Sequence, residues 1–487
     1  MSKTILLYKD IAPGADTDAA VSAPSSQDFT DPTQLPFGTS EAPALTCELN
    51  QWGLDGTFIL TEEVEPAFWS SEMSGADGSF ASGREPVITI VFDEQYSSMG
   101  ISFRFDTPTG GFCSALNIKW YQQDVLRENV DFAPNAVEYF CQKKVTSYDK
   151  LVITVKKTNL PYRYAKIDHI IFGLHRSFGM SELRSASAVN EMNLISTELP
   201  SSTLNWTLDS REDVDFMFQL KQPVEISNDD RLIGVYYVSS YSRKSRRIYP
   251  ITCCDAIGVL GDIPFGGGVY TSASAKALVV ELASPFEVEF DANAKDMQLT
   301  GIIKSGTRRS ALQQVLFAWG VCASTDGRAS IRIFIPGVEP KEISANQTFL
   351  GTTVNTEAIV TQIQIVAHTY TESDNGTVTI NGTKYEDTEE VFSVSNPDVT
   401  ATDKQNIKKI SDATLVSPAI APAVAQRVYE YYLRRNTNKS KIVYNGEKLG
   451  DCLTIPNSWG SANTGNLAKM EIKLSNTVVY SSESKGV

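Results

Sequence analysis

The sequence has 487 residues, and a chain of that length is expected to form about three or four domains. Hydrophobic residues make up 42% and charged residues 21% of it, a globular composition that excludes a largely disordered chain. The formal net charge of −15 argues against tight binding to nucleic acid, because such binding needs clustered Lys and Arg to neutralise phosphates.

The N-terminus carries no predicted export signal. Its apolar run at residues 5–8 is too short for one, and no stretch approaches the roughly 18 apolar residues of a membrane span. We therefore expect synthesis in the cytoplasm and no membrane span. The seven cysteines are predicted to be reduced and buried rather than disulfide-bonded or metal-binding, because they are odd in number, widely spread and mostly set in apolar segments.

Residues 1–45 are predicted to form an extended N-terminal arm. From residue 9 onward Ala, Pro, Ser, Asp and Thr predominate, with neither the period of 2 nor the period of 3.6 of a packed element. Such an arm either lies on a neighbouring subunit or is an unattached terminus, and the sequence leaves both open.

Residues 46–173 are predicted to form an antiparallel β-sandwich. Six short alternating runs support it, at residues 87–92, 101–105, 116–120, 137–140, 151–155 and 167–172. Loops at residues 74–83 and 107–111 are expected at the rim, where a ligand would sit. Exposed aromatic rings can stack on sugars, so the candidate glycan contacts are Trp52, Trp69, Phe80, Tyr96 and Tyr121. Most aromatics of so small a sandwich are core residues, and that alternative stays open for each of them.

Residues 174–262 form a second predicted β-rich block. Its strands are expected around residues 204–208, 216–220, 232–238 and 247–253. The basic run at residues 243–247 falls between two of them, which predicts a solvated hairpin tip; ion pairing between subunits is the alternative.

Residues 263–344 change character and are predicted to form an α+β insert. The glycines at 266–268 suggest a flexible joint, and a helix is expected over residues 272–282. The clearest helix follows Thr307, a candidate cap, and ends at Gly320. A β-hairpin should come next, because strand-like runs flank Asp326 and Gly327.

Residues 345–487 return to alternating strands, notably at 358–366, 441–444 and 470–474. One late helix is expected over residues 422–435, with Pro422 in its first turn and Arg434 and Arg435 near its C-terminal dipole. Taken together, the fold class is mainly β and multi-domain.

Catalytic motifs are missing from the sequence. It holds three histidines and no HExxH, GxSxG, GxxxxGKS or GxGxxG pattern. His169 and His368 lie in strand-like runs, where hydrogen-bonded structural roles are expected. Acidic neighbours such as Glu62 with Glu63, Asp213 with Asp215, and Glu389 with Glu390 are common in a chain with 58 acidic residues. We expect no catalytic residue, no cofactor and no metal, and no enzyme activity.

Several segments together resemble a known family. KTILLYKDIAPGADT, NQWGLDGTF, AFWSSEMSGADGSF and IKWYQQDVL resemble the N-terminal galactose-binding, discoidin-like region of baseplate and tail proteins from phages and phage-like particles of Gram-positive gut bacteria. LPSSTLNWTLDS, GTRRSALQQVLFAWGVCASTDGRASIRIF and residues 417–450 resemble the hub that links tail tube to baseplate. The resemblance covers most of the chain.

The resemblance implies a structural role. In that family the hub is a homotrimer in which two barrel-like domains per chain form a pseudo-sixfold ring, matching a hexameric tail tube to a trimeric spike or tip. Residues 174–262 and 345–487 would be hub β-barrel domains 1 and 2, residues 263–344 the insert, and residues 46–173 a jelly-roll sandwich. Tail tube, spike or tip, and other baseplate proteins would be partners, nucleic acid would only pass through the channel, and the protein would be part of the virion or of an extracellular phage-like particle.

Relatives often carry a C-terminal peptidoglycan hydrolase, and the sequence reaches Val487 without one, so no catalytic residue is expected from the resemblance. The alternative function is adhesion, in which the sandwich recognises a glycan on the host surface.

Overall fold

The computed structural model describes residues 4–12, 14–35, 46, 48, 51–57, 67–107, 109–210, 218–229, 231–400, 404–457, 459–475 and 478–486. Strands account for 52% and helices for 11% of the structure, which confirms the mainly β prediction. The chain divides into a smaller unit, Leu7–Ser177, and a larger unit, Met1–Leu6 with Phe178–Val487. No helix in the described ranges is long and apolar enough to cross a membrane.

The smaller unit contains most of the first nine strands. In chain order the elements are β1 (Thr4–Ile11), α1 (Ala15–Asp18), β2 (Ala20–Ser22), a 3₁₀ turn (Pro32–Gln34), β3 (Phe68–Met73), β4 (Val87–Phe105), β5 (Cys113–Gln122), β6 (Val125–Phe132), β7 (Glu138–Thr158), β8 (Tyr164–Ile171) and β9 (Gly173–Gly179). The seven strands β2–β8 form one antiparallel sheet in the order β3-β8-β4-β7-β5-β6, with β2 paired to β4. Ile88, Phe103, Trp120 and Ile153 are among the buried residues of its core.

Four of the predicted strands merge into two long strands, β4 and β7. The runs at 87–92 and 101–105 both belong to β4. The run at 151–155 and, from Glu138 onward, the run at 137–140 both belong to β7. The register of the β4–β7 pair shifts three times between Val91 and Gly100. Such bulges let a long strand bend while it stays paired, so the polar residues between the apolar runs are part of a strand and not of a turn.

The N-terminal segment predicted as an arm is folded into the smaller unit. β2 pairs with β4, and Ala12, Ala15, Ala23 and Leu35 are buried in the core. The Asp18 side chain, at the end of α1, accepts hydrogen bonds from the backbone N–H groups of Asp93 (3.2 Å) and Glu94 (3.0 Å). The buried apolar residues of this segment are mostly alanines without a regular spacing. The sequence pattern therefore did not indicate that the segment is packed. Residues 36–45 lie outside the described residues.

The larger unit begins with a block of antiparallel strands: β10 (Leu183–Glu191), β11 (Thr203–Asp209), β12 (Pro223–Asn228), β13 (Arg231–Tyr241) and β14 (Ile248–Cys254), followed by α2 (Ala256–Leu260). Predicted strands at 204–208, 232–238 and 247–253 agree with β11, β13 and β14. The predicted strand at 216–220 does not: residues 216–217 lie outside the described residues, and Phe218 is a buried residue of a non-strand segment. The basic run at 243–247 is exposed between β13 and β14, as predicted for a hairpin tip.

The middle of the larger unit contains two of its helices. The elements are β15 (Pro264–Phe265), β16 (Gly268–Ser274), α3 (Ala275–Ala283), β17 (Val288–Phe290), β18 (Gln298–Ile303), β19 (Gly306–Thr307), α4 (Arg308–Trp319), β20 (Cys322–Ser324), β21 (Ile331–Phe334) and β22 (Pro340–Glu342), followed by a 3₁₀ turn (Ala345–Gln347). Thr307 and Ser310 form a capping box at the start of α4, and Gly320 ends it with φ 90°. β20 and β21 pair antiparallel around Asp326 and Gly327, the predicted hairpin.

The last elements of the larger unit are β23 (Thr353–Thr356), β24 (Gln362–Glu372), β25 (Val378–Ile380), β26 (Thr383–Ser395), β27 (Ile407–Ile410), α5 (Ala421–Leu433), β28 (Asn436–Val443), β29 (Cys452–Pro456), β30 (Ala462–Lys473) and β31 (Val479–Gly486). A four-stranded sheet has the order β25-β26-β24-β27. It shares a core with the helices, in which Leu312, Leu316, Ile363 and Val428 are all buried. The region predicted as an insert therefore packs with residues beyond 344.

The two outer strand blocks of the larger unit belong to one sheet. Its order is β23-β28-β31-β30-β10-β11-β14-β13-β12-β1-β9, and β29 pairs with both β30 and β22. The link is the antiparallel pair of β10 and β30, in register from Ser187 opposite Lys473 to Glu191 opposite Lys469. Strands that are about 280 residues apart in the chain are thus joined through their backbones.

The described cysteines behave as small core residues. Cys113, Cys141, Cys253, Cys254, Cys322 and Cys452 are free, and all but the half-buried Cys254 are buried. Burial raises the pKa of the Cys253 and Cys322 thiols to about 12, so both are protonated at neutral pH. Cys47 lies outside the described residues.

Candidate functional site

A polar cleft in the smaller unit is the candidate site. Its volume is about 360 Å³, within the range of small-ligand sites. It lies where the β5–β6 hairpin meets the irregular part of the β4–β7 pair. The lining residues are Gln122, Arg127, Glu128, Lys144, Val145, Thr146 and Ser147.

Bulges in two strand pairs build the cleft. In the β5–β6 pair, Trp120 lies opposite Glu128 and Tyr121 opposite Leu126, so Arg127 has no partner residue on β5. In the β4–β7 pair, the partners of Gly100 and Ser98 are Gln142 and Val145, so Lys143 and Lys144 lie opposite the single residue Met99 and β7 has one residue more than β4 there. A bulge turns its extra residue out of the regular pleat, and bulges are frequent beside functional sites.

Side-chain hydrogen bonds hold the two walls of the cleft. The Gln122 amide donates from Nε2 to Oε1 of Gln95 at 3.0 Å. The backbone N–H of Ser147, which has φ 55°, donates to the Ser97 hydroxyl at 3.0 Å. Gln95 and Ser97 both belong to the bulged segment of β4, so this segment supports the hairpin end and the β7 wall together.

The cleft has more positive than negative charge that is not paired. Glu128 pairs with Lys143 at 3.0 Å between Oε1 and Nζ. Arg127 and Lys144 are exposed, and within the described ranges neither has a carboxylate within 4.0 Å of its cationic nitrogens. Two cations without an ion-pair partner thus line the cleft of a chain whose net charge is −15. An anion with hydroxyl groups would meet suitable donors there.

The five predicted aromatic residues are in different environments. Trp69 and Phe80 are only 3% and 7% exposed, so neither presents a ring face to solvent. Trp69 packs against Phe29 and Tyr164, and the Lys166 ammonium is 4.1 Å from its ring centroid. Trp52, as a whole residue, is 43% exposed.

Tyr96 and Tyr121 are half-buried and are sequence neighbours of the cleft walls. Tyr96 follows Gln95 on β4, and its ring packs edge-on against Phe92. Partial burial and the nearby Asp18 carboxylate raise the pKa of Tyr96 to about 12. Tyr121 precedes Gln122, and Lys150 Nζ is 5.4 Å from its ring centroid.

The cleft lies at the end of the strands opposite to the loops predicted as the ligand rim. β5 starts at Cys113, beside the turn at residues 107–111, and reaches the cleft at Gln122. Sequence reasoning missed it because bulges are not visible in an alternating pattern. The available signal was the polar stretch at residues 93–98, which interrupts two apolar runs that belong to one strand.

A second cluster contains His368, Asp387 and Glu389, whose ligand atoms lie within 4.8 Å of one another. The His368 ring is buried, its Nδ1 is 3.0 Å from both Asp387 carboxylate oxygens, and its Nε2 is 3.1 Å from the Ser411 carbonyl oxygen. Both ring nitrogens already have hydrogen-bond partners. The geometry is that of a structural histidine, the role expected from its place in β24.

No protein-family model matches the chain, and no curated protein matches it. Among solved structures, the tail protein from Neisseria meningitidis MC58 has a TM-score of 0.46 at 12% identity, covering 64% of this chain and 93% of that one. The 43 kDa tail protein of prophage MuSo2 from Shewanella oneidensis has a TM-score of 0.44 at 9% identity, covering 63% and 95%. Prophage tail protein gp18 from Listeria monocytogenes EGD-e has a TM-score of 0.42 at 10% identity, covering 63% and 91%.

All three are tail proteins, and those from Shewanella oneidensis and Listeria monocytogenes are prophage proteins. Their TM-scores are below 0.5, so they carry no argument about what this chain does.

Proposed function

We propose that the chain is a structural hub of a phage or phage-like tail, a homotrimer that joins the hexameric tail tube to a trimeric spike or tip. It acts through its interfaces with tube, spike and other baseplate proteins, and it catalyses no reaction. After synthesis in the host cytoplasm it becomes part of the virion or tail particle. Nucleic acid passes through the channel without being held, since the chain is strongly acidic.

The observation that carries the proposal is the pairing of β10 with β30. This pairing makes one continuous sheet from two strand blocks that are far apart in sequence, one on each side of the helical region. If each strand block forms one segment of a ring, one chain supplies two segments and three chains supply six. That arithmetic matches the sixfold tube and threefold spike that the sequence resemblance implies.

Mass photometry of the purified chain, alone and with the tail tube protein, tests the proposal. A trimer should appear at three times the chain mass of 53.4 kDa, and the tube protein should bind to that species. A chain that stays monomeric at every concentration and in the presence of the tube protein contradicts it.

A second candidate function is recognition of a glycan on the host surface by the smaller unit. The polar cleft favours it, because amide, hydroxyl and charged groups converge on a volume of about 360 Å³. Binding of the chain to a glycan array would support this function. Failure to bind any host polysaccharide would leave the smaller unit as a packing domain.

A further inference from the structure

We propose that the cleft lined by Gln122, Arg127, Lys144, Thr146 and Ser147 binds an acidic, hydroxyl-rich ligand of saccharide type, held by its carboxylate or phosphate group. The proposal rests on the second candidate function and goes further, because it assigns the binding site and the charge of the ligand. It is independent of the hub proposal.

The ion pairs of the cleft indicate that the ligand is negatively charged. Lys143 already satisfies Glu128, the one carboxylate among the lining residues. Arg127 and Lys144 have no such partner in the part of the chain that the structure describes. A guanidinium presents a fork of N–H donors that fits a carboxylate or phosphate, and an ammonium adds a second positive charge.

The hydroxyl-rich character follows from the neutral lining groups. Thr146 and Ser147 each carry a hydroxyl that can donate and accept, and the Gln122 side chain carries an amide. A sugar hydroxyl both donates and accepts hydrogen bonds, so it binds best where donors and acceptors are both present. A bare inorganic anion would use only the two cations and leave most of the 360 Å³ to water.

Backbone geometry places the cations in advance of binding. Arg127 is the extra residue of the β5–β6 bulge, and Lys144 is one of the two β7 residues that lie opposite Met99 in the β4–β7 bulge. Both positions are on paired strands rather than on a free loop, so little backbone entropy is lost when a ligand binds. Long polyanions are disfavoured, because the surrounding chain is acidic overall.

Isothermal titration calorimetry of the full chain with oligogalacturonate tests the proposal. The comparison ligand is the fully methyl-esterified oligomer, which has the same number of sugar units and no charge. We expect the acidic form to bind more tightly, and its affinity to fall as salt rises. Short glycerol phosphate oligomers form a second arm, which separates a phosphate-bearing ligand from a carboxylate-bearing one.

Two sets of variants make the test specific. The double variant R127Q/K144Q should lose at least about tenfold in affinity for the acidic ligand, because two charge-assisted hydrogen bonds are removed. The control R84Q/K156Q removes two exposed cations elsewhere in the smaller unit and should bind like the parent chain. The variant E128Q removes the carboxylate of the cleft and should bind the acidic ligand more tightly, a gain that misfolding cannot produce.

The proposal is overturned if neither acidic ligand binds, if the neutral ester binds as tightly as the acid, or if R127Q/K144Q and R84Q/K156Q behave alike. Mass photometry of the same samples reports the trimer separately. A failed ligand test with an intact trimer therefore refutes the cleft and leaves the hub proposal standing.

Discussion

At the scale of single residues, the smaller unit depends on a buried cluster of charges. Lys166, only 6% exposed, makes ion pairs with Glu48 and, at 3.1 Å, with Asp106. Glu48 also accepts hydrogen bonds from the Thr46 hydroxyl at 2.9 Å and from the Tyr164 backbone N–H at 2.8 Å. The lysine thus neutralises two buried carboxylates and contacts the ring of Trp69 at the same time.

Replacing this lysine should strongly destabilise the smaller unit. We expect Lys166→Met to lower its free energy of unfolding by about 3–5 kcal/mol, because two buried carboxylates lose their counter-charge. The matched control is Lys150→Met, which removes an ion pair with the exposed Asp124 and should cost less than about 1 kcal/mol. Denaturant unfolding of both variants measures the difference, and equal effects would mean that the cluster does not stabilise the unit.

Asp255 in the larger unit should make stability depend on pH. Its side chain caps α2 by accepting from the Gly258 backbone N–H at 2.9 Å, and burial raises its pKa from 3.8 to about 6. The folded state therefore binds a proton more tightly than the unfolded state does. This contribution to stability is fully present below about pH 4 and is lost as the pH rises through 6.

The variant D255N keeps an amide that can cap the helix and removes this titration. We expect the difference in unfolding free energy between the parent and D255N to favour the parent more at pH 4 than at pH 7, by about 2 kcal/mol. Chemical unfolding of both proteins across this range measures it. A difference that stays constant with pH would contradict the assignment.

At the scale of secondary-structure elements, β26 has an open edge. It pairs with β24 along its length, while β25 pairs only with its first residues, Thr383–Tyr385. Among the described strands nothing covers its remaining edge from residue 386 to 395. Glu386, Asp387, Glu389 and Glu390 lie along this stretch, and charges of this kind protect an edge from unspecific pairing.

If the open edge takes part in assembly, a charge next to the acidic stretch should weaken the oligomer. Val391, which is 51% exposed on β26, is the test position, and Val280, 53% exposed on α3, is the matched control. We expect Val391→Asp to shift mass photometry toward smaller species at a given concentration, and Val280→Asp to leave the distribution unchanged. The same shift in both variants would remove β26 from the interface.

At the scale of the whole molecule, the two units have separate hydrophobic cores, one around Trp120 and one around Leu312. We expect calorimetry to resolve two unfolding transitions. Lys166→Met should lower the temperature of one and leave the other in place, whereas D255N should change only the other. A single transition that both variants shift equally would mean that the units unfold together.

The sequence by itself was sufficient to predict those elements that are determined by neighbouring residues. The start of α4 at the Thr307 cap, its end at Gly320 and the hairpin around Asp326 and Gly327 all follow from neighbouring residues. The mainly β character and the buried free cysteines follow from composition and alternation, since both depend on what each segment can bury.

The other features of the fold and the cleft were decided only by the tertiary structure, because they depend on pairings between residues that are far apart in the sequence. The burial of Trp69 and Phe80, the merging of predicted strands into β4 and β7, and the join of β10 to β30 have no local signal. The cleft belongs to this class, since its two cations come from bulges on different strand pairs, and a bulge exists only relative to the strand opposite.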